Sequence, residues 1–303
     1  MPLSRRTFLH GAVVAAAGAG FGPPARAAEE ALITRPVPST GERLPAMGIG
    51  TSRRYEVAVT PEATAPLREA VERFVALGGR VIDTAPSYGT AEDVLGLILE
   101  GLRDKIFLAS KVAATGREAA QAEIERSFKR LRTDRIDLIA VHNLIDTASN
   151  LAILRGLKEQ GRIRTLGVTV WRDDQFPELE TVLQRERLDF LQVNYALDSR
   201  KAAERILPLA QERGVAVMVN VPFGRDRLFT AVKGKPLPEF AREFGCASWA
   251  QFFLKYVLGH EAVTCPIPGM AKASYVEDNL AAARGRLPDA AERRKMEAFI
   301  DAA

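Results

Sequence analysis

The chain is expected to fold as an α/β protein, a single-domain (β/α)8 barrel of the TIM type, with an N-terminal β-hairpin. Three observations carry that expectation. From Gly50 onward, short β-branched apolar runs alternate with longer segments of helical period, which favours a parallel sheet with right-handed crossovers. Counting the run that ends at Gly50, eight occur, enough to close a barrel. The glycine-rich turn of an open dinucleotide-binding sheet is missing, because the first run ends Gly48-Ile49-Gly50-Thr51-Ser52-Arg53 with no third glycine and no prompt helix.

Taken in order, residues 1–27 read as a leader outside the fold. Ser4-Arg5-Arg6-Thr7-Phe8-Leu9 is a twin-arginine pattern. An Ala/Gly/Val-rich stretch follows over 11–21, and Ala25-Arg26-Ala27 supplies a small-x-small cleavage site after Ala27. A membrane anchor is the competing reading, but the apolar stretch is too short and too rich in Ala and Gly to span a bilayer stably. The barrel domain is then 28–303. Residues 33–44, with Ser39-Thr40-Gly41 at the tip, read as the hairpin.

Strands are expected at 46–50, 81–83, 106–111, 136–141, 165–170, 190–194, 216–220 and 265–267. Helices are expected at 61–77, 91–102, 118–131, 151–160, 176–186, 202–213 and 249–258, with a last surface helix at 292–300. Several of these helices stop at glycine (Gly78-Gly79, Gly161, Gly214, Gly259), the residue that takes a left-handed conformation without a Cβ clash.

Composition narrows the function. The leader holds three arginines and no acid, so the 42 basic residues fall to 39 against 38 acidic ones. That near-neutral balance gives no reason to expect a nucleic-acid or membrane-surface partner. Cys246 and Cys265 are the only cysteines; an exported protein could join them, but two separately buried thiols are the preferred reading and the pairing stays open. Past the leader only His142 and His260 remain, with no Cys/His cluster at metal-ligand spacing, so no metal is expected.

Four residues stand at or just after strand ends in chain order: Asp83, Tyr88, Lys111 and His142. The carboxyl ends of parallel strands are where such folds do chemistry. A phenol is a weak acid, a neighbouring ammonium favours its phenolate, a carboxylate fixes the ammonium, and an imidazole can hydrogen-bond a carbonyl. Singly, each has a plainer reading: a turn-forming Asp, a loop aromatic, a solvated Lys, a structural His. Their conjunction, in order and at matching strand ends, points to a catalytic set.

The segment Asp83-Thr84-Ala85-Pro86-Ser87-Tyr88-Gly89-Thr90-Ala91-Glu92-Asp93-Val94-Leu95-Gly96 resembles the signature of the aldo-keto reductase family, and Ser110-Lys111 and His142 resemble its other two catalytic positions. The resemblance implies an NAD(P)H-dependent oxidoreductase that reduces a small aldehyde or ketone to an alcohol. Tyr88 is then the general acid, tuned by Lys111 and Asp83, and His142 orients the substrate. It also implies that the hairpin closes the amino-terminal end of the barrel.

Further along, Leu191-Gln192-Val193-Asn194-Tyr195 matches the segment whose glutamine contacts the nicotinamide amide. Thr169 stands where the family has a serine and Val170 where it has an asparagine. Asn220 takes the place of a stacking aromatic, for which Trp171 or Phe223 are substitutes, and Arg225 or Arg227 are candidates for the pyrophosphate. The run Ile267-Pro268-Gly269-Met270-Ala271-Lys272 through Asn279 resembles the adenosine-phosphate segment, with a helix starting near Ser274. Gly269 and Tyr275 stand where the family often has Lys and Arg, Lys272 is placed for a 2′-phosphate, and Asn279 matches an adenine contact. NADPH is the expected cofactor, with NADH left open.

The expected partners are therefore a small carbonyl substrate and, for the leader, the twin-arginine export machinery. The expected location is periplasmic or otherwise exported. Arg53, Arg54, Tyr55, Trp171, Arg172 and Phe223 are the candidate substrate walls, equally readable as lid packing. Two rivals remain. One is a low-turnover nucleotide-binding or regulatory protein that keeps the barrel. The other is an isomerase or lyase, for which no phosphate-binding glycine pattern or metal carboxylate set is present.

Overall fold

The computed structural model describes residues 30–302, and the leader lies outside them. Thr34–Pro36 (β1) and Arg43–Pro45 (β2) pair antiparallel as the hairpin. Eight parallel strands follow in sequential order: Gly48–Gly50 (β3), Val81–Asp83 (β4), Phe107–Val112 (β5), Ile136–His142 (β6), Ile163–Thr169 (β7), Phe190–Asn194 (β8), Ala216–Asn220 (β9) and Val263–Pro266 (β10). The ring closes where Gly50 bridges Gly269 and the Gly50 N–H donates to the Pro268 carbonyl at 2.9 Å. A Cβ on Gly50 would lie 2.5 Å from the Ile267 carbonyl oxygen, so the seam needs glycine there.

Helices Pro61–Ala76 (α1), Ala91–Ile98 (α2), Arg117–Arg130 (α3), Thr147–Glu159 (α4), Phe176–Arg185 (α5), Ile206–Glu212 (α6), Arg227–Ala231 (α7), Trp249–Leu258 (α8), Ala273–Ala281 (α9) and Ala290–Asp301 (α10) complete the chain. Helix α1 begins at Thr60, whose side chain accepts from Ala63 N, with Pro61 in the first turn. Its Leu67, Ala70, Val71 and Phe74 turn one stripe inward. Helix α10 opens with a capping box between Asp289 and Glu292. None of the helices among the described residues is long and apolar enough to cross a membrane.

Two apolar layers result. One lies between sheet and helices. The other fills the barrel: Val81, Phe107, Ala109, Leu138, Phe190 and Met218, with Ala216, Cys265 and Ile267, meet Val37 and Leu44 of the hairpin. The hairpin therefore plugs the end where the strands start. Its Glu42 pairs with Arg80 and Arg164, and the Arg35 guanidinium donates to the carbonyls of Leu258 (2.6 Å), Val263 (2.8 Å), Glu261 (2.8 Å) and His260 (3.1 Å). Cys246 and Cys265 are buried and unpaired with each other.

The expected strands and helices recur with shifted ends, and two features differ. Helix α7 and a 3-10 turn at Glu239–Phe244 fill the stretch between β9 and α8, where none was expected. Gly78, Gly161 and Gly214 are left-handed as anticipated, but Gly259 has φ −65°. Its missing side chain serves a close approach, since a Cβ there would sit 2.8 Å from the Pro288 carbonyl oxygen.

Candidate active site

Strand parity builds the site. Side chains alternate faces along a strand, and Val81, Phe107, Ala109, Leu138, Phe190, Ala216 and Met218 already define the inner face. Counting in twos toward the carboxyl ends places Asp83, Lys111, His142, Gln192 and Asn220 on that face, at the rim opposite the hairpin. Thr169, at the end of β7, joins them through its bond to Gln192.

There the Lys111 ammonium, 1% exposed, donates to both oxygens of Asp83 (2.8 and 2.7 Å) and to the Thr84 carbonyl (2.7 Å). Tyr88, half-buried on the loop between β4 and α2, has its ring centroid 5.0 Å from the Lys111 nitrogen and 6.3 Å from the His142 ring, edge to face. The polar chain continues sideways: Gln192 Nε2 donates to Asp83 Oδ1 (2.9 Å), and Thr169 Oγ1 donates to Gln192 Oε1 (2.7 Å). A cavity of about 570 Å³, within the usual range for ligand pockets, is lined by Asp83, Tyr88, His142, Thr169 and Gln192. Lys111 lies behind its wall.

Burial is the largest single influence on Tyr88, Lys111 and His142, and it prevails at two of the three. It raises the Tyr88 phenol above its ordinary value; Lys111 pulls in the expected downward direction but does not win. For Lys111 burial alone would depress the ammonium, yet the Asp83 carboxylate, followed by Tyr88, leaves it raised. Burial, helped by the Lys111 charge, lowers His142 to about 4, so it is a neutral imidazole near neutrality with one N–H to give.

The remaining cofactor candidates divide. Arg225 and Gly269 line the cavity, and the Arg225 guanidinium lies 4.2 Å from the Trp171 ring centroid. Arg227 is drawn off into an ion pair with Asp198 (2.8 Å). Lys272, exposed, precedes α9 with its nitrogen 5.6 Å from the Tyr275 ring centroid, and Asn279 is buried on the same helix; neither lines the cavity. Trp171 and Phe223 both face it. The loop after β9 is left-handed at Val221 (φ 51°), Gly224 (59°), Arg225 (53°) and Asp226 (71°), turning backbone N–H groups in unusual directions.

Two wall residues were not anticipated as polar contacts. Asn143, directly after His142, and Asn220 each keep a buried side-chain oxygen with no hydrogen-bond partner. The signal for Asn143 is an asparagine following a strand-end histidine, since asparagine tolerates the left-handed backbone found there (φ 54°). No group of His, Cys, Asp and Glu among the described residues is arranged to hold a metal ion.

A closed parallel barrel whose rim sets a weak acid beside a buried ammonium and a neutral imidazole is the architecture of a carbonyl-reducing enzyme. The chain belongs to the aldo/keto reductase family, whose profile matches residues 46–298. It is 35% identical over 248 residues, 78% of this chain and 85% of the relative, to the methylglyoxal reductase YeaE of Escherichia coli (strain K12). It is similar to the solved structure of an aldo-keto reductase from Klebsiella pneumoniae in complex with NADPH (TM-score 0.75, 27% identity, covering 89% of this chain and 95% of that one). A second Klebsiella pneumoniae aldo/keto reductase structure, in complex with NADP and acetate, is similar at TM-score 0.71 and 28% identity, covering 86% and 93%.

Proposed function

We propose that the protein reduces small aldehydes and ketones with NADPH, dicarbonyls such as methylglyoxal among them, and that it does so after twin-arginine export with its leader cut after Ala27. The observation that carries the reductase reading is the meeting of Tyr88, Lys111, Asp83 and His142 at one cavity. The similarity to a methylglyoxal reductase and to aldo-keto reductases in complex with NADP and NADPH supports the substrate class and the cofactor. The export proposal is supported by the Arg5-Arg6 pattern and the Ala25-Arg26-Ala27 site alone.

The residues present fit a nicotinamide dinucleotide: the cavity has the volume of a ligand site, unpartnered acceptors in its wall, and a left-handed loop and an arginine at its edge. When bound, that group supplies the hydride. His142 donates its N–H to the substrate carbonyl and orients it. Tyr88 keeps its proton through neutrality and passes it to the carbonyl oxygen as negative charge develops there. Lys111 stabilises the phenolate left behind, and Asp83, held by Gln192, keeps the ammonium in place.

Tyr88→Phe is expected to lower kcat for methylglyoxal reduction by about 10²- to 10⁴-fold, the usual worth of a positioned acid, while leaving the Kd for NADPH unchanged. Undiminished turnover would remove Tyr88 from the acid role.

A further inference from the structure

Asn220 ends β9 at the parity of Ala216 and Met218, so its side chain enters the rim of the barrel. It does not stop at its own strand. Its Nδ2 donates to the Val170 carbonyl at 2.8 Å, reaching across β8, the strand that carries Gln192. A carbonyl oxygen only accepts, so this bond fixes which end of the amide is nitrogen and which is oxygen. The Oδ1 left over is buried, has no partner, and belongs to a residue of the cavity wall.

A buried acceptor without a donor carries the full cost of its desolvation. The protein side chains nearby do not relieve it. Gln192, the obvious amide in the cavity, gives one Nε2 N–H to Asp83, and neither it nor any other protein donor reaches the Asn220 oxygen. The next residue, Val221, is β-branched yet left-handed at φ 51°, a conformation that surrounding structure must enforce and that clusters at ligand sites. The free oxygen and the enforced turn beside it define a wall that calls for an N–H donor from a ligand.

We propose that Asn220 Oδ1 accepts a hydrogen bond from the carboxamide NH2 of the nicotinamide, and so selects a carboxamide-bearing ring over one that lacks the donor. The inference rests on the dinucleotide reading above and adds a residue to it. The bond from Nδ2 to Val170 pre-sets the acceptor, so no side-chain rotation is lost on binding.

The test is binding without turnover. Tryptophan fluorescence titrations of the full chain with NADP⁺ and with its 3-acetylpyridine analogue, in which a methyl replaces the NH2, give the discrimination ratio. Wild type is expected to favour NADP⁺ by about three- to tenfold, the worth of one neutral hydrogen bond. Asn220→Leu, close in volume but unable to accept, should bring the ratio near one, and Asn220→Ala should do the same if the leucine variant folds poorly. A ratio that survives in the folded variants overturns the assignment while leaving dinucleotide binding intact. A ratio that collapses only in Asn143→Leu moves the contact to the other unpartnered oxygen and equally overturns it. Failure of wild type to bind either dinucleotide removes the cofactor reading, and this one with it.

Discussion

Lys111 has two duties that a single substitution confounds. Its ammonium is the counter-ion of a carboxylate that is 4% exposed, and it lies 5.0 Å from the Tyr88 ring centroid. Lys111→Met leaves Asp83 buried without its partner, a loss of about 3–5 kcal/mol. Asp83→Asn combined with Lys111→Met removes both charges and is expected to recover much of that stability. Carbonyl reduction should stay abolished in both. Thermal melts beside NADPH-oxidation rates separate the duties, and recovery of activity in the double variant would argue against an ammonium in the chemistry. These residues were readable from sequence because type, order and strand end coincided. The unpartnered oxygens of Asn143 and Asn220 were not, since whether an amide finds a partner depends on groups distant in sequence, as Val170 is from Asn220.

Among the elements, the strands carry the register of the whole rim, and glycine sets how closely they meet. Gly167 faces Phe190 across the β7–β8 pair, and a Cβ there would fall well inside contact distance of the Phe190 carbonyl oxygen. Gly167→Ala is expected to cost about 1–3 kcal/mol or more by overpacking. Gly156, inside α4, meets open space, so Gly156→Ala should instead stabilise by about 0.5–1 kcal/mol. Opposite shifts in Tm would check both, and a fall for Gly156→Ala would contradict the helix environment described. Alternation and helical period made the strands and most helices legible in the chain. Helix α7 and the 3-10 turn before α8 escaped because segments of five and six residues are too short to show a periodicity. Gly259 was legible as a helix end but not in its conformation, because its need for glycine comes from Pro288, distant in sequence.

Across the whole molecule, acid is the expected weakness. Burial, aided by neighbouring positive charge, lowers both His142 and His260 to about 4. An unfolded histidine takes its proton near pH 6.5, so between pH 6.5 and 4 the unfolded chain holds protons the native state refuses. Stability must fall as pH drops through that window. His260 packs edge to face on Tyr195, away from the cavity. His260→Gln should therefore flatten part of the decline in Tm between pH 7 and 4.5 without altering the rim. An unchanged slope in that variant would show that His260 takes up its proton as readily in the fold as in the unfolded chain.

The fastening of Arg35 also sets an order of events. Its four carbonyl partners lie 223 to 228 positions downstream, and the glycine seam joins position 50 to position 269. A ribosome must have released the chain beyond position 258 before the first of these junctions can form, and beyond 269 before the second. Floor and mouth are thus completed late, and until then no enclosed chamber exists for a small molecule to occupy.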